Sequence, residues 1–208
     1  KLKVPIPIVK AAGYLFRAPT EKDKDYNAFQ LALNLLSNDS ETGLLDSLCN
    51  ENKVMMAKAG EYTFKETGLA AFGYVPNIPF GSRKKADKMC WQQVDKLKRG
   101  DFSDNTLSAL KLAYERNVQQ QMEEIDTRKD IMINAISHNV SWDEIMQRNH
   151  DVENITKADI VRVANKYLGN EYLKAVKTFG KYPKDKVSQP GYKPIMPKNA
   201  GQKSEYAK

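Results

Sequence analysis

The spacing of apolar residues predicts that the middle of the chain is helical. From residue 82 to residue 168, apolar positions recur at steps of three, four and seven, the period of helices with one buried face. Four of these runs begin after a hydroxyl residue that can cap the first helical turn, namely Ser82, Ser103, Ser141 and Thr156. A further helix is predicted to start at Asp126 or Thr127. Gly100 stands where the first of the five should end, as glycine often does.

Two of the predicted helices lie between Ser103 and Ser141. The first carries a single apolar stripe, formed by Leu107, Leu110, Tyr114, Val118 and Ile125. The second carries Ile131, Ala135 and Ile136.

Outside this region the pattern predicts two shorter helices and four strands. The stretch 24–38 has a helical stripe, with Asp23 or Asp25 available as its cap, and residues 44–49 form a second helix. Strands are predicted near 10–18, 54–64, 68–75 and 172–179. The second and third strands are separated by a turn at 66–68, which indicates an antiparallel hairpin.

The order of these elements predicts the fold class. Strands that meet through a hairpin, with helices gathered between them, are typical of α+β proteins built on an antiparallel or mixed sheet. We therefore expect residues 1–180 to form a single α+β module, a two-layer sandwich of a mostly antiparallel sheet with helices packed on it. Cys49 and Cys90 lie in helix-like apolar stripes, which predicts two buried thiols rather than a disulfide framework.

The net charge of +7 arises mainly from the end of the chain. Residues 181–208 hold seven Lys against Asp185 and Glu205, together with four prolines and no helical stripe, and are expected to be an extended linker or tail. With so little net charge in the body, we expect no nucleic-acid partner. Binding through Lys-rich segments remains an alternative, and it would depend steeply on salt. No apolar run approaches the roughly 18 residues of a membrane helix, so no membrane span is expected.

The stretch SHNVSWDEIMQRNH, residues 137–150, holds both histidines of the chain and two carboxylates between them. His138 and His150 are twelve positions apart, whereas a zinc peptidase helix places two histidines about four positions apart so that both reach one metal. Asp143 and Glu144 fall in the first turn of the helix that Ser141 begins, where carboxylates cap backbone amides. The stretch is therefore interpreted as structural, and no catalytic or metal-binding residue is predicted.

Three short motifs resemble those of serine β-lactamases, namely SRKK at 82–85, SDN at 103–105 and KTFG at 177–180. Ser82 and Ser103 are better explained as helix caps, and Phe179 departs from the third motif. No P-loop, dinucleotide-binding fingerprint or G-x-S-x-G sequence occurs. This catalytic hypothesis is therefore not favoured.

Three longer stretches, taken in order, resemble the insulinase/pitrilysin-type zinc peptidases over about residues 25–180. They are AFQLALNLLSNDSETGLLDSLCNENKVMMAKAG, KADKMCWQQVDKLKRGDFSDNTLSALKLAYERN and VENITKADIVRVANKYLGNEYLKAVKTFG. The resemblance implies α+β modules of this size, usually four to a chain or two to a subunit, which close around a peptide. It also implies that zinc is held only by the module that carries H-x-x-E-H and a downstream Glu. This chain has no such motif, so no family metal or catalytic residue is assigned to it.

The resemblance therefore implies a non-catalytic module. Its role would be to form chamber wall and to support the catalytic module of a parent protein that holds zinc and cleaves peptides. Its expected partners are the other modules of the same chain and the peptide substrate, and the tail from Lys181 favours the second module of four. The alternative is a structural or assembly module of a family member that has lost catalysis.

Overall fold

The computed structural model describes residues 1–181, and in them the chain forms one sheet and a set of helices. The strands are β1 (Leu2–Val4), β2 (Ala12–Ala18), β3 (Met56–Thr63), β4 (Gly68–Val75) and β5 (Leu173–Phe179). The helices are α1 (Tyr26–Leu36), α2 (Leu44–Asn50), α3 (Arg83–Arg99), α4 (Asp104–Glu123), α5 (Ile125–His138), α6 (Trp142–Asp151) and α7 (Lys157–Tyr167), with a 3-10 turn at Val152–Asn154. No helix within this described part is long and apolar enough to cross a membrane.

The five strands form one sheet in the order β1-β5-β2-β4-β3. β2 is antiparallel to both of its neighbours, and β3 and β4 form the predicted antiparallel hairpin, with Phe64 N–H donating to the Thr67 carbonyl in the turn. Only β1 and β5 are parallel. This arrangement confirms the predicted α+β sandwich with a mostly antiparallel sheet, and all four predicted strands belong to it.

Strand β1 is the element that the sequence analysis missed. Its three residues pair with the end of β5, where Leu2 lies opposite Lys177 and Val4 lies opposite Phe179. Three residues are too few to display an alternating pattern, and the partner strand lies at the other end of the described chain. The pairing is therefore a consequence of the tertiary fold and has no local signal.

The core lies between the helices and one face of the sheet. Along β2 and β4, alternate residues point to this face, and Tyr14, Phe16, Phe72 and Tyr74 are fully buried there. The residues between them, such as Leu15 and Leu69, are exposed on the other face. Burial of these side chains stabilises the fold, because a fully buried apolar side chain such as Phe contributes roughly 1.5–3 kcal/mol when removed from water.

The two cysteines occupy different environments, and both thiols are free. Cys90 is buried in the core, and burial raises the pKa of its thiol to about 12. Cys49 is only partly buried, so the prediction of two buried thiols was wrong for it. Its Sγ instead accepts a hydrogen bond from the backbone N–H of Ala57 at the start of β3, at 3.2 Å.

The predicted helix caps are confirmed at all four hydroxyl residues. The hydroxyls of Ser82, Ser103, Ser141 and Thr156 each accept a hydrogen bond from the backbone N–H three residues later. Gly100 ends α3 with a φ of 72°, in the left-handed region that glycine adopts without a steric cost. Ser82 and Ser103 therefore have the capping role that the sequence predicts for them.

Two predictions about helix ends were wrong. The stripe from Leu107 does not continue to Ile125, because the extended backbone of Glu124 separates α4 from α5. Ile125 begins α5 and is 75% exposed. Asp25 stands before α1, but its side chain makes no cap, since α7 holds it instead. Asp23 accepts a hydrogen bond from the N–H of Thr20 rather than capping α1.

The predictions about the tail lie almost entirely outside the described residues. Of the expected linker 181–208, only Lys181 is described. Tyr182, Tyr192 and Ile195 are the few apolar residues of this segment, and the sequence predicts that at least one of them packs against the body. All three lie outside the described residues. The division at residue 180 therefore stays a prediction.

Candidate functional site

The two histidines of the sequence do not come together. His138, at the end of α5, has its Nδ1 2.8 Å from Oε1 of Glu21, whereas His150 is exposed on α6 with Glu153 3.9 Å away. Glu144 accepts a hydrogen bond from the N–H of Ser141 at 2.6 Å and completes a capping box. This confirms the structural interpretation of Ser141 and Glu144. Asp143 is exposed in the first turn of the same helix.

The capping role of Ser141 gives a first testable prediction. Ser141→Ala removes the hydroxyl that accepts the N–H of Glu144, so we expect the free energy of unfolding to fall by about 1 kcal/mol in urea titrations. His150→Ala changes an exposed residue in the same helix and should alter this free energy by less than about 0.5 kcal/mol. Equal losses in the two variants would contradict the interpretation.

A polar cleft of about 470 Å³ opens between α1 and β3 on one side and helices α4 to α6 on the other. Amide side chains reach it from four helices, namely Asn27, Gln30 and Asn34 on α1, Asn117 and Gln121 on α4, Asn134 on α5 and Asn149 on α6. An amide group both donates and accepts hydrogen bonds, as a peptide unit does. The cleft is therefore suited to the polar backbone of a peptide.

Arg148 on α6 connects the wall of the cleft that helices α4 to α6 form with α1 and the residues just before it. Its Nη1 donates to the Glu21 carbonyl at 2.7 Å, and its guanidinium lies 5.6 Å from the centre of the Tyr26 ring. The side chain of Asn27 donates a hydrogen bond to the Arg148 carbonyl at 2.6 Å. Tyr114 on α4 donates to the Asn149 side chain at 2.7 Å, so the helices that form this wall are also tied to each other.

The other wall is the outer edge of β3, to which no further strand of residues 1–181 is paired. Both backbone polar groups of Ala57 point to this edge, toward the Cys49 sulfur. Since backbone groups in a strand alternate with a period of two, those of Ala59, Glu61 and Thr63 point the same way. Ala59 and Glu61 line the cleft, so the edge runs along it.

Glu61 is the acidic group on this wall. Its side chain follows Ala57 and Ala59 on the core-facing side of β3, is partly exposed, and has one oxygen, Oε2, that is buried without a hydrogen-bond partner in the described structure. Burial raises the pKa of Glu61, a hydrogen bond with the Gln30 side chain acts against this rise, and the nearby charge of Glu21 adds to it. Burial, with the charges of Glu61 and Glu21, also raises the pKa of Tyr26. Glu61 therefore lacks a compensating charge.

Comparison with solved structures gives the fold a place among known proteins. The chain superimposes on a protease from Helicobacter pylori with a TM-score of 0.76 and 17% identity, over 82% of this chain and 41% of that one. It matches the inactive peptidase domain of a Bordetella parapertussis protein assigned as a zinc protease with a TM-score of 0.73 and 17% identity, over 88% of this chain and 98% of that one. The fold is that of inactive peptidase domains. A third match, the peptidase M16 inactive domain from Pseudomonas fluorescens, has a TM-score of 0.71 and 12% identity over 87% of this chain and 43% of that one.

These matches confirm the fold that the resemblance to insulinase/pitrilysin-type peptidases implied. Neither a protein-family model nor a curated protein sequence matches the chain. The chain spans less than half of the Helicobacter and Pseudomonas proteins, but nearly all of the Bordetella domain.

No residue of the cleft is predicted from the sequence to bind a ligand, although one signal is present in β3. In β3 the core-facing positions are Ala57, Ala59 and Glu61, and a carboxylate at such a position is unusual in a strand that packs on helices. The amides of α1 and α4 gave no signal, because polar residues on the solvent side of an amphipathic helix are ordinary. Only the packing of distant elements places them on one cleft.

Proposed function

We propose that this chain is a non-catalytic module of a zinc-dependent peptidase. In this role it forms part of the wall of the chamber that holds peptide, and it supports the catalytic module. The observation that carries the proposal is the polar cleft beside the outer edge of β3, in a fold shared with inactive peptidase domains. The other modules of the parent protein and its peptide substrate are then the partners of this chain.

The outer edge of β3 offers a direct way to hold an extended peptide. Unpaired backbone groups at a sheet edge can pair with an added strand, and such pairing recognises the peptide backbone whatever its sequence. The outward groups of Ala59, Glu61 and Thr63 would supply the hydrogen bonds of the ladder. The amides of the opposite wall would bind peptide groups that face away from β3. Both features favour peptide over a compact small molecule.

The side chains that line the cleft are not the ligands that zinc prefers. Zinc sites in peptidases use histidine nitrogens and a carboxylate, whereas the cleft presents mostly amides, with Glu21 already bound by His138 and Arg148. In residues 1–181, no three His, Cys, Asp or Glu side chains are grouped as they would be around a metal ion. In this proposal the zinc belongs to the catalytic module of the parent protein, and this chain contributes no step of the reaction.

A binding experiment with the 208-residue chain tests the proposal. We expect a fluorescein-labelled decapeptide of Ser, Thr and Val with one central Lys to bind, and the bound peptide to stay intact. Ala59→Pro removes an N–H that points outward, at a position where an edge strand tolerates proline, and should weaken binding about tenfold. Ala59→Gly keeps this N–H and should bind as the unchanged protein does. Fluorescence anisotropy measures the affinity, and elemental analysis should find no stoichiometric zinc.

Two outcomes would overturn the proposal. Cleavage of the peptide with zinc bound in equimolar amount would make the chain catalytic. The absence of any peptide binding would favour the alternative, a structural or assembly module of a family member that has lost catalysis. The full gene separates these two functions independently, since an intact H-x-x-E-H upstream of Lys1 supports a working peptidase and its absence supports the alternative.

A further inference from the structure

Charged groups in the cleft are not balanced. Two carboxylates, Glu21 and Glu61, line it together with one guanidinium, that of Arg148. Arg148 is engaged by Glu21, with Nη1 on its carbonyl at 2.7 Å and Nη2 3.6 Å from its carboxylate. His138 contacts the same carboxylate at 2.8 Å. The negative charge of Glu61 is therefore the one that the described part of the chain leaves without a cationic partner.

The position of Glu61 on the strand decides what could reach it. Its backbone groups point to the outer edge, and its side chain points to the face of the sheet that borders the cleft. In a paired strand, the residue directly opposite places its side chain on the same face, with the Cβ atoms about 4.5–5.5 Å apart. A peptide added to β3 would therefore place one side chain next to Glu61, inside the cleft.

We propose that Glu61 selects a lysine or arginine side chain in an extended peptide bound at the edge of β3. The inference rests on the proposed peptide-binding role and adds the class of peptide. A carboxylate opposite a cation forms a charge-assisted hydrogen bond, which is stronger than a bond between neutral groups. An acidic residue at the same place would face Glu61 with a like charge and would be excluded.

The rest of the cleft suits a long cationic side chain. Val118 and Met122 on α4, Ile131 on α5 and Ile145 on α6 supply apolar surface among the amides. Lysine and arginine bury their methylene stems along such surface while the charged end reaches a polar partner. A short cation, such as a free ammonium ion, would gain only the contact with the carboxylate.

The test uses the 208-residue chain and three decapeptides of Ser, Thr and Val that differ only in one central residue, Lys, Gln or Glu. We expect the Lys peptide to bind about ten times more tightly than the Gln peptide, and the Glu peptide to bind most weakly. Glu61→Gln keeps the size of the side chain and removes its charge, so the three peptides should then bind with similar affinity. Glu66→Gln changes an exposed carboxylate in the turn between β3 and β4 and should keep the preference for Lys.

The results distinguish this inference from the function on which it rests. Equal binding of the Lys and Gln peptides, with weakening by Ala59→Pro, would overturn the role of Glu61 and leave the peptide-binding edge in place. A preference for Lys that survives in Glu61→Gln would also overturn it, since another carboxylate would then be responsible. Binding of no peptide at all would overturn both.

Discussion

The double substitution of Arg162 and Lys166 by methionine is expected to lower the free energy of unfolding by about 3–5 kcal/mol at pH 7. The reason is Asp25, which directly precedes α1 and is only 1% exposed. Arg162 Nη1 and Lys166 Nζ on α7 each lie 2.7 Å from its carboxylate, and Tyr167 donates its hydroxyl at 3.1 Å. The double variant leaves a buried carboxylate with one neutral partner, and an uncompensated buried charge is strongly destabilising.

The pH dependence of this loss follows from the pKa of Asp25. Burial alone raises this pKa, but hydrogen bonds from Lys166, Arg162 and Tyr167 outweigh it and hold the pKa at about 2, below the ordinary 3.8. Asp25 therefore contributes stability above pH 4, about 2 kcal/mol, and this contribution is lost as the pH falls from about 4 to 2. In the double variant burial dominates and raises the pKa, so the difference from the unchanged protein should shrink in acid.

A third substitution distinguishes charge from packing. Adding Asp25→Asn to the double variant removes the buried charge, so the triple variant should be more stable than the double variant at pH 7. Urea unfolding at pH 7 and pH 3 measures both effects. If the triple variant is no more stable than the double one, the loss comes from the two long side chains and their packing rather than from Asp25.

The helices could be predicted from the sequence because their signals are local. Ser141 and Glu144 lie three residues apart and cap one helix, as Thr156 and Asp159 do for the next. Gly100 ends α3 through its own backbone conformation. Each of these features depends on residues within one turn of each other, so a short stretch of sequence is enough to predict where the helix begins or ends.

The residues that hold the elements together could not be predicted in this way. Asp25 has the position of a helix cap, but it is bound by a helix about 140 residues later in the chain. Glu61 and Arg148 reach the same cleft from β3 and α6. Their partners depend on how distant elements pack, and no local pattern in the sequence indicates that packing. The same limit applies to β1 and its parallel partner.

A second large effect is expected at Asp87, which joins α3 to three strands. Its Oδ1 accepts hydrogen bonds from the hydroxyls of Tyr14 on β2 and Tyr74 on β4, both at 2.6 Å, and its Oδ2 accepts one from Lys174 on β5 at 2.9 Å. Both tyrosines are almost fully buried. Asp87→Ala takes away the shared acceptor, and we expect a loss of about 3 kcal/mol in the free energy of unfolding, because a buried unsatisfied polar group costs about 1–3 kcal/mol. Asp95→Ala, at an exposed position of the same helix, is the matched control and should change it by less than about 0.5 kcal/mol.

The two tyrosines differ in the hydrogen-bond acceptors that remain when Asp87 is removed, so the substitution should affect them differently. Without Asp87, the Tyr74 hydroxyl can still donate to the Arg83 carbonyl, which lies 3.3 Å away, whereas the described structure offers Tyr14 no second acceptor. Tyr14→Phe should therefore recover more stability in the Asp87→Ala background than Tyr74→Phe does, by about 1 kcal/mol. Urea unfolding of the single and double variants gives this difference directly. Equal recovery by both substitutions would mean that the Arg83 carbonyl does not replace Asp87 as the acceptor for Tyr74. No recovery by Tyr14→Phe would mean that the stability lost with Asp87 comes from its ion pair with Lys174 and not from the buried hydroxyl of Tyr14.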